Sequence, residues 1–246
     1  MSGGEAPLMY NPRMVSPGQP RLGIVVPTVN PTSEIVDTLV ALIEIDNRFD
    51  AALMLADGGW TEDCAYFANA LAGKYVVAPR GRGSQLAAGA AAVAGDWLLF
   101  VHADTVLDDG WDEAAAAFVA DPANADRAGY FRFALDDDSP QARRLERRVA
   151  WRCRTFGLPY GDQGLLVSRA RYDAVGGFRP LPLMEDVDLV RRLGRDRMVE
   201  LPVRAVTSAA KFRRDGWRRR SLRNLTCLAL YFAGVPPRHI EKLYGR

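Results

Sequence analysis

The chain has 246 residues, of which 48% are hydrophobic and 25% charged, a balance typical of a soluble globular protein. Its formal net charge of +2 does not favour a nucleic-acid partner. Cys64, Cys153 and Cys227 are far apart, which argues against a disulfide framework or a CxxC zinc site and favours a reducing compartment. We therefore expect a cytoplasmic protein.

The first 20 residues are rich in Gly, Pro and Ser, and we expect residues 1–20 to form a flexible leader. No stretch of the sequence approaches the ~18 consecutive apolar residues that a membrane span needs. We expect ordered structure to begin at Arg21 and to continue as one domain over residues 21–246.

Four short apolar runs alternate with helix-like segments in the first half of the chain. The predicted strands are 22–27, 51–56, 75–78 and 97–101, and the predicted helices between them are 34–44, 62–72 and 84–94. This alternation predicts an α/β fold with a mainly parallel sheet flanked by crossover helices.

The second half is less regular. The sequence predicts helices over 111–119, 141–154, 187–193 and 222–233, an exposed strand over 130–135 and a further strand over 165–168.

Polar or glycine-rich residues follow three of the first four predicted strands. Thr28 and Asn30 follow the first strand, Asp57 the second, and His102 and Asp104 the fourth. Because ligands bind beyond the carboxyl ends of parallel strands, their recurrence at one edge of the sheet predicts a binding site. Taken singly, each residue is also typical of a turn or a helix cap.

Five motifs in order then carry a more specific resemblance. They are Pro-Thr-Val-Asn (27–30), Asp-Gly-Gly (57–59), His-Ala-Asp-Thr (102–105), Gly-Asp-Gln-Gly (161–164) and Met-Glu-Asp-Val (184–187). Over about residues 21–246 the chain resembles family 2 glycosyltransferases of the GT-A fold. It is most similar to a small bacterial subgroup with His-Ala-Asp in place of Asp-x-Asp. The resemblance implies an inverting hexosyltransferase that moves a sugar from a nucleotide-diphosphate sugar to an acceptor hydroxyl.

The resemblance also implies a divalent metal, Mn²⁺ or Mg²⁺, held by Asp104, whose hard oxygen atoms suit either ion. His102 departs from the common motif: it could ligate the metal, contact ribose or simply pack in the strand end. Ala103 is assigned with His102 to the donor contacts.

The donor site implied by the resemblance begins with Asp57, which would accept a hydrogen bond from the nucleobase. Thr28 and Asn30 would line the same pocket. The diphosphate would meet Arg80 and Arg82, followed by Gln85, at the start of an Ala-rich helix. Ala87 stands where the subgroup pattern has Asn.

Glu185 and Asp186 resemble the family's catalytic Glu-Asp pair, in which Asp186 would be the general base and Glu185 would also bind substrate. A carboxylate opposite the departing diphosphate is what an in-line, inverting attack requires. Two carboxylates at a helix start would also complement the helix dipole without any chemistry. Asp162 and Gln163 could touch sugar or acceptor hydroxyls, or form a plain turn.

The C-terminal segment is strongly basic and has three interpretations. Lys211 and Arg214 could bind the diphosphate, as in related enzymes. The segment could instead dock on anionic lipid at the inner face of the membrane and bring the site to a lipid-linked acceptor. It could also be an ordinary amphipathic terminal helix.

Two alternative functions remain open. A nucleotidyltransferase would carry a glycine-rich, basic loop after the first strand, which residues 27–31 lack. A non-catalytic nucleotide-sugar-binding relative is kept open by His102 and Ala87, although Asp104 and Asp186 argue against it.

Overall fold

The structure is a computed structural model that describes residues 18–29, 34–43, 45, 48–59, 65–66, 68–69 and 73–244. Residues 1–17 of the predicted leader, Asn30 and most of the helix predicted over 62–72 lie outside the described residues.

The first half contains β1 (Arg21–Thr28), α1 (Glu34–Ile43), β2 (Asp50–Asp57), β3 (Lys74–Val77), α2 (Arg82–Ala92), β4 (Trp97–Phe100), β5 (Thr105–Leu107) and α3 (Trp111–Ala120). The second half contains β6 (Ala128–Leu135), α4 (Pro140–Phe156), β7 (Leu165–Ser168), α5 (Arg169–Ala174), α6 (Glu185–Leu193), β8 (Met198–Thr207), α7 (Ala210–Asp215), α8 (Trp217–Phe232) and α9 (Pro237–Tyr244).

The eight strands form one sheet in the order β3-β2-β1-β4-β7-β6-β8-β5. The first four strands in this order are parallel to one another, so β1, β2 and β4 end at the same edge of the sheet. β7 runs antiparallel to β4 and β6, β6 is parallel to β8, and β5 closes the edge antiparallel to β8. The predicted α/β fold with a mainly parallel sheet and flanking helices is confirmed.

Alternate residues of β1 enter different cores, which explains its continuous apolar sequence. Ile24 and Val26 pack in one cluster with α1 and α3, while Val25 packs on the other face with α2 and α6. A strand covered by helices on both faces has no solvent side, so it shows no polar alternation.

The prediction of an exposed strand over 130–135 was wrong. β6 spans Ala128–Leu135 in the interior of the sheet, between β7 and β8, and six of its eight residues are buried. The exposed Arg132 produced the apparent alternation; its guanidinium pairs with Glu200 on β8, with Nε 3.2 Å from Oε1.

The structure also contains elements that the sequence did not predict, namely β5, β8, α5, α7 and α9. In the described part of the chain, no helix is both long enough and apolar enough to cross a bilayer.

Candidate active site

The ends of β1 and β2 lie side by side, with Thr28 paired to Asp57 in the parallel register. Both residues are buried. Gln85, on the first turn of α2, joins the two strands: its Nε2 donates to the carbonyls of Thr28 (2.5 Å) and Ala56 (2.9 Å). Gln85 therefore fixes the strand ends where we expected a donor base to bind, and its amide is engaged with the backbone.

Asp57 is held in turn by the loop that follows it. The backbone N–H of Gly59 donates to Asp57 Oδ1 at 3.0 Å. A Cβ atom at Gly58 would lie 2.9 Å from Gln85 Cδ, so only glycine lets this loop pass so close to the amide. The Asp-Gly-Gly motif thus shapes a carboxylate-lined corner at the carboxyl edge of the sheet.

Asp104 follows β4 and carries an ion pair across to α7. Lys211 Nζ lies 2.7 Å from Asp104 Oδ2, and both side chains are partly exposed. Burial alone would raise the pKa of Asp104, but Lys211 and its other cationic neighbours hold it below the usual value. The Asp104 carboxylate is therefore ionised and already faces a cationic group.

His102, just after β4, contacts Gly161, which lies in the loop that precedes β7. A Cβ atom at Gly161 would collide with the imidazole, lying 2.6 Å from Cε1 and still closer to Nε2. Burial and the nearby Arg82 lower the pKa of His102 to about 4, so the ring is neutral at pH 7.

Asp186 lies in the first turn of α6 and is fixed by two backbone amides. Gly161 N–H donates to its Oδ2 (2.8 Å) and Val187 N–H to its Oδ1 (2.7 Å). His102, Gly161 and Asp186 form one contiguous group, which lines a small, partly open pocket. The other walls of this pocket are mostly apolar and include Leu86, Phe100, Leu165, Phe178 and Val190.

Met184 directly precedes Glu185 and Asp186. Its φ of 65° is the only positive φ of a non-glycine residue in the described part of the chain. The left-handed conformation costs a side-chain-bearing residue about 1–2 kcal/mol. Such strain is common at functional sites, where the surrounding structure compensates for it.

Glu185 precedes Asp186 on α6 and is fully buried. Its Oε1 lies 2.5 Å from Arg82 Nε, at the start of α2. Burial opposes the charge on Arg82, but attraction by Glu185 and Asp186 outweighs it and raises the pKa of Arg82. Glu185 therefore anchors a permanently charged guanidinium at a helix N-terminus, while Arg80 lies exposed just before that helix.

The loop Gly161–Gln163 is a 3₁₀ turn built around Gln163. The buried Gln163 accepts from Tyr160 N (3.2 Å) and Arg152 Nη2 (3.1 Å), and donates to Phe131 O (3.1 Å). The Arg152 guanidinium also lies 3.4 Å from the Tyr160 ring centroid. Gln163 thus holds the backbone that orients Asp186. Arg152 helps to hold the same backbone, and the sequence analysis did not single it out. In the sequence it is only one of several arginines in a basic helix.

Asp162 lies in the same loop, and its carboxyl group has a raised pKa. Burial, together with Asp186 and Asp104, raises the pKa of its carboxyl group to about 6. Its Oδ1 is a buried atom with no hydrogen-bond partner among the described residues. The loop therefore adds a third carboxylate to the cluster.

Two of the predicted contacts lie further out. Arg214 is largely exposed, and its Nε pairs with Asp215 Oδ1 at 2.8 Å. Ala103 is half-buried, and its carbonyl accepts from Thr38 Oγ1 at 3.0 Å.

The sequence profile of glycosyl transferase family 2 matches residues 23–180, which include the ends of β1, β2 and β4 and the loop at Gly161. The chain belongs to this family. The family assignment made from the five motifs is thereby confirmed. A comparison with curated proteins finds no significant match.

Solved structures of glycosyltransferases share the fold of this family 2 chain. It is similar to a mannosyltransferase from Pyrobaculum calidifontis in complex with GDP-mannose and Mn²⁺, with a TM-score of 0.61, 18% identity and coverage of 85% of this chain and 61% of that one. It is also similar to GalNAc-T7 with UDP, GalNAc and Mn²⁺, with a TM-score of 0.58, 13% identity and coverage of 78% and 44%. A third is glucosyl-3-phosphoglycerate synthase from Mycobacterium tuberculosis, in complex with Mn²⁺, UDP and glucosyl-3-phosphoglycerate, with a TM-score of 0.55, 17% identity and coverage of 88% and 81%. The chain thus spans only about half to three-fifths of the length of the first two.

The residues near Asp104 fit a metal that is shared with a ligand. Among the described residues, no group of three or more His, Cys, Asp or Glu side chains could hold a metal ion by itself. Mg²⁺ and similar ions are commonly held by one or two carboxylates together with substrate phosphates. Asp104 Oδ2 is paired with the Lys211 ammonium at 2.7 Å, so a metal ion at this carboxylate would compete with that cation.

Proposed function

We propose that this family 2 chain is an inverting glycosyltransferase of the His-Ala-Asp subgroup, which transfers a sugar from a nucleotide-diphosphate sugar to an acceptor hydroxyl. The observation that carries the proposal is the meeting of His102, Asp104 and Asp186 at the carboxyl edge of the sheet. Asp186 is fixed there by Gly161, against which His102 packs.

The donor would lie across the ends of β1, β2 and β4. Asp57 and Thr28, with Asn30, would recognise the nucleobase and ribose, while Ala103 lines the path between base and diphosphate. The diphosphate would face Arg82, which Glu185 holds at the N-terminus of the 11-residue helix α2. A helix N-terminus and a fixed guanidinium both favour an anion.

Lys211 supports the same placement from the other side. It lies at Asp104 and is flexible enough to pair with diphosphate oxygens instead, because its ammonium is half exposed. Arg80 and Arg214 are exposed and would serve as outer contacts to the diphosphate.

Asp104 would hold the divalent metal, Mn²⁺ or Mg²⁺, with the neutral His102 as its candidate second ligand. When bound, the metal would offset the negative charge that develops on the departing diphosphate. The solved structures with Mn²⁺ described above support this assignment.

Asp186 would take the proton from the acceptor hydroxyl. Each of its oxygens accepts one backbone N–H, so the carboxylate is fixed and still has lone pairs for a proton. Asp162 lies in the same charged cluster and would contact a hydroxyl of the sugar or acceptor. The buried thiols Cys153 and Cys227, which form no disulfide, support a cytoplasmic location.

The test is Asp186→Asn, which preserves shape and removes the base. General-base catalysis contributes about 10²- to 10⁴-fold, so we expect transfer to fall by at least about 100-fold. Nucleotide binding, measured calorimetrically, should change by less than about twofold, because the donor contacts are elsewhere.

Asp173→Asn is the matched control, since it neutralises an exposed carboxylate on α5. It should leave both transfer and binding unchanged. If Asp186→Asn transferred sugar at the wild-type rate, the assignment of the base would be wrong.

A further inference from the structure

Helix α8 exposes an apolar stripe. Leu222 is 66% exposed, Leu225 62% and Phe232 48%. Their spacing, with the exposed Ala229 between them, places all four on one face of the helix. A helix whose only role was to cover the core would not keep large apolar side chains on its outer face.

Positive charge lies close to the stripe. Residues 210–244 contain nine Lys and Arg side chains and two carboxylates. Five of the nine are ion-paired with carboxylates, namely Lys211, Arg213, Arg214, Arg220 and Arg223. Arg218 and Arg219 are exposed in the first turn of α8, and Arg238 and Lys242 are exposed on α9. The surface therefore combines apolar side chains with a basic border, the combination that binds an anionic interface.

The inner face of α8 packs directly beneath the proposed catalytic residues. Cys227 and Leu228 belong to the same cluster as Met184 and Val187, which flank the pair of acidic residues at the start of α6. At the C-terminal end of α8, the Arg191 guanidinium of α6 lies 5.0 Å from the Phe232 ring centroid. The stripe therefore lies on a helix that packs against α6, the helix that carries Asp186.

We propose that the outer face of α8 docks the protein on a bilayer that contains anionic lipids. The apolar stripe would enter the interfacial region while Arg218 and Arg219 contact the headgroups. A second copy of the chain fits this surface less well, because a two-fold contact would bring two basic borders together. The docking itself is independent of the proposed function, but its consequence, delivery of a lipid-linked acceptor to Asp186, rests on it.

The test is co-sedimentation of the full chain with vesicles of phosphatidylcholine, alone or mixed with phosphatidylglycerol. The wild-type protein should bind the mixed vesicles only, and less at high salt. Leu222→Ser with Leu225→Ser should lower the partition coefficient about tenfold or more, through lost apolar burial. Arg218→Gln with Arg219→Gln should lower it about tenfold, through lost charge attraction.

The matched control is Tyr75→Ser with Val77→Ser, which removes two exposed apolar side chains from the edge strand β3. This variant should bind vesicles as the wild type does. Wild-type protein that fails to sediment with mixed vesicles would overturn the proposal, and so would equal binding to neutral vesicles.

Self-association is measured by light scattering on the same samples. A dimer that the leucine substitutions abolish, without vesicle binding, would assign the surface to a second copy and overturn the lipid proposal. Nucleotide binding by all variants separates this test from the proposed function. If it is retained while vesicle binding is absent, only the docking fails.

Discussion

Gly161→Ala tests how the proposed base is positioned. The added Cβ would lie 2.6 Å from His102 Cε1 and closer still to Nε2, so the imidazole or the loop must move. The backbone of Gly161 does not have a positive φ, so alanine can adopt the same backbone conformation without strain. The whole effect therefore comes from the close approach of the imidazole.

The stability cost follows from overpacking, which typically amounts to about 1 to 3 kcal/mol. For a chain of this length, that corresponds to a decrease in Tm of roughly 2 to 12 °C. Movement of the loop would also weaken the 2.8 Å hydrogen bond from Gly161 N–H to Asp186 Oδ2. A hydrogen bond to a charged group is worth about 1.5 to 3 kcal/mol, so we expect a loss of transfer activity of about ten- to one hundredfold.

The assay pairs thermal unfolding with measurement of released nucleoside diphosphate. In a His102→Ala background the clashing imidazole is absent, so adding Gly161→Ala should lower Tm by less than half as much as in the wild type. Gly73→Ala is the matched control, because its Cβ would stay at least 3.3 Å from its nearest neighbours, with Leu53 Cδ2 at 3.3 Å and Leu53 Cγ and O at 3.4 Å. A Gly161→Ala protein with wild-type Tm and activity would refute the proposed contact between His102 and the loop.

Asp162→Asn should stabilise the protein by at most about 3 kcal/mol at pH 8, since a pKa raised from 3.8 to about 6 means that ionised Asp162 opposes folding. This cost begins to decrease as the pH falls below about 6 and vanishes below about pH 4, so thermal unfolding should show the variant's advantage shrinking over that range. A constant advantage would contradict the assignment. Lys211→Met removes the ammonium that lies 2.7 Å from Asp104 Oδ2, so the variant should bind Mn²⁺ more tightly in calorimetry without nucleotide. Its nucleotide binding should weaken. An unchanged Mn²⁺ affinity would show that Lys211 does not compete with the metal for Asp104. Arg82→Gln removes the guanidinium that pairs with the fully buried Glu185 and should lower the free energy of unfolding by about 3 to 5 kcal/mol. Adding Glu185→Gln should restore part of this loss. If denaturant unfolding showed that the two losses simply add, the ion pair would not be coupled as proposed.

The first half of the fold was predictable chiefly because three of its strands, β1, β2 and β4, are largely buried. β1, β2 and β4 appear in the sequence as uninterrupted apolar runs, and the helix after each strand determines the parallel order. β8 was missed because Glu200, Pro202 and Arg204 interrupt its apolar residues, next to the short edge strand β5. Helices α7 and α9 span six and eight residues, too few for a clear helical period.

Part of the candidate site was predictable for the same reason. His102, Asp104 and Asp57 follow strands, and strand ends in a parallel sheet meet at one edge. The connections made by Gln85, Gln163 and Arg152 depend on partners that tertiary packing supplies, such as Phe131 O for Gln163 Nε2, 32 residues away. The contact between Gly161 and His102 has no signal in the sequence either.

Nucleotide binding with and without metal is the decisive test of the proposed donor and metal site. Calorimetric titration with UDP, GDP, dTDP and CDP would be carried out in Mn²⁺, in Mg²⁺ and in chelator, with wild-type protein and Asp104→Asn. We predict binding of at least one nucleotide that requires the metal and is lost in Asp104→Asn. Well-folded wild-type protein that binds none of the four, or binds one equally well in chelator and after Asp104→Asn, would contradict it.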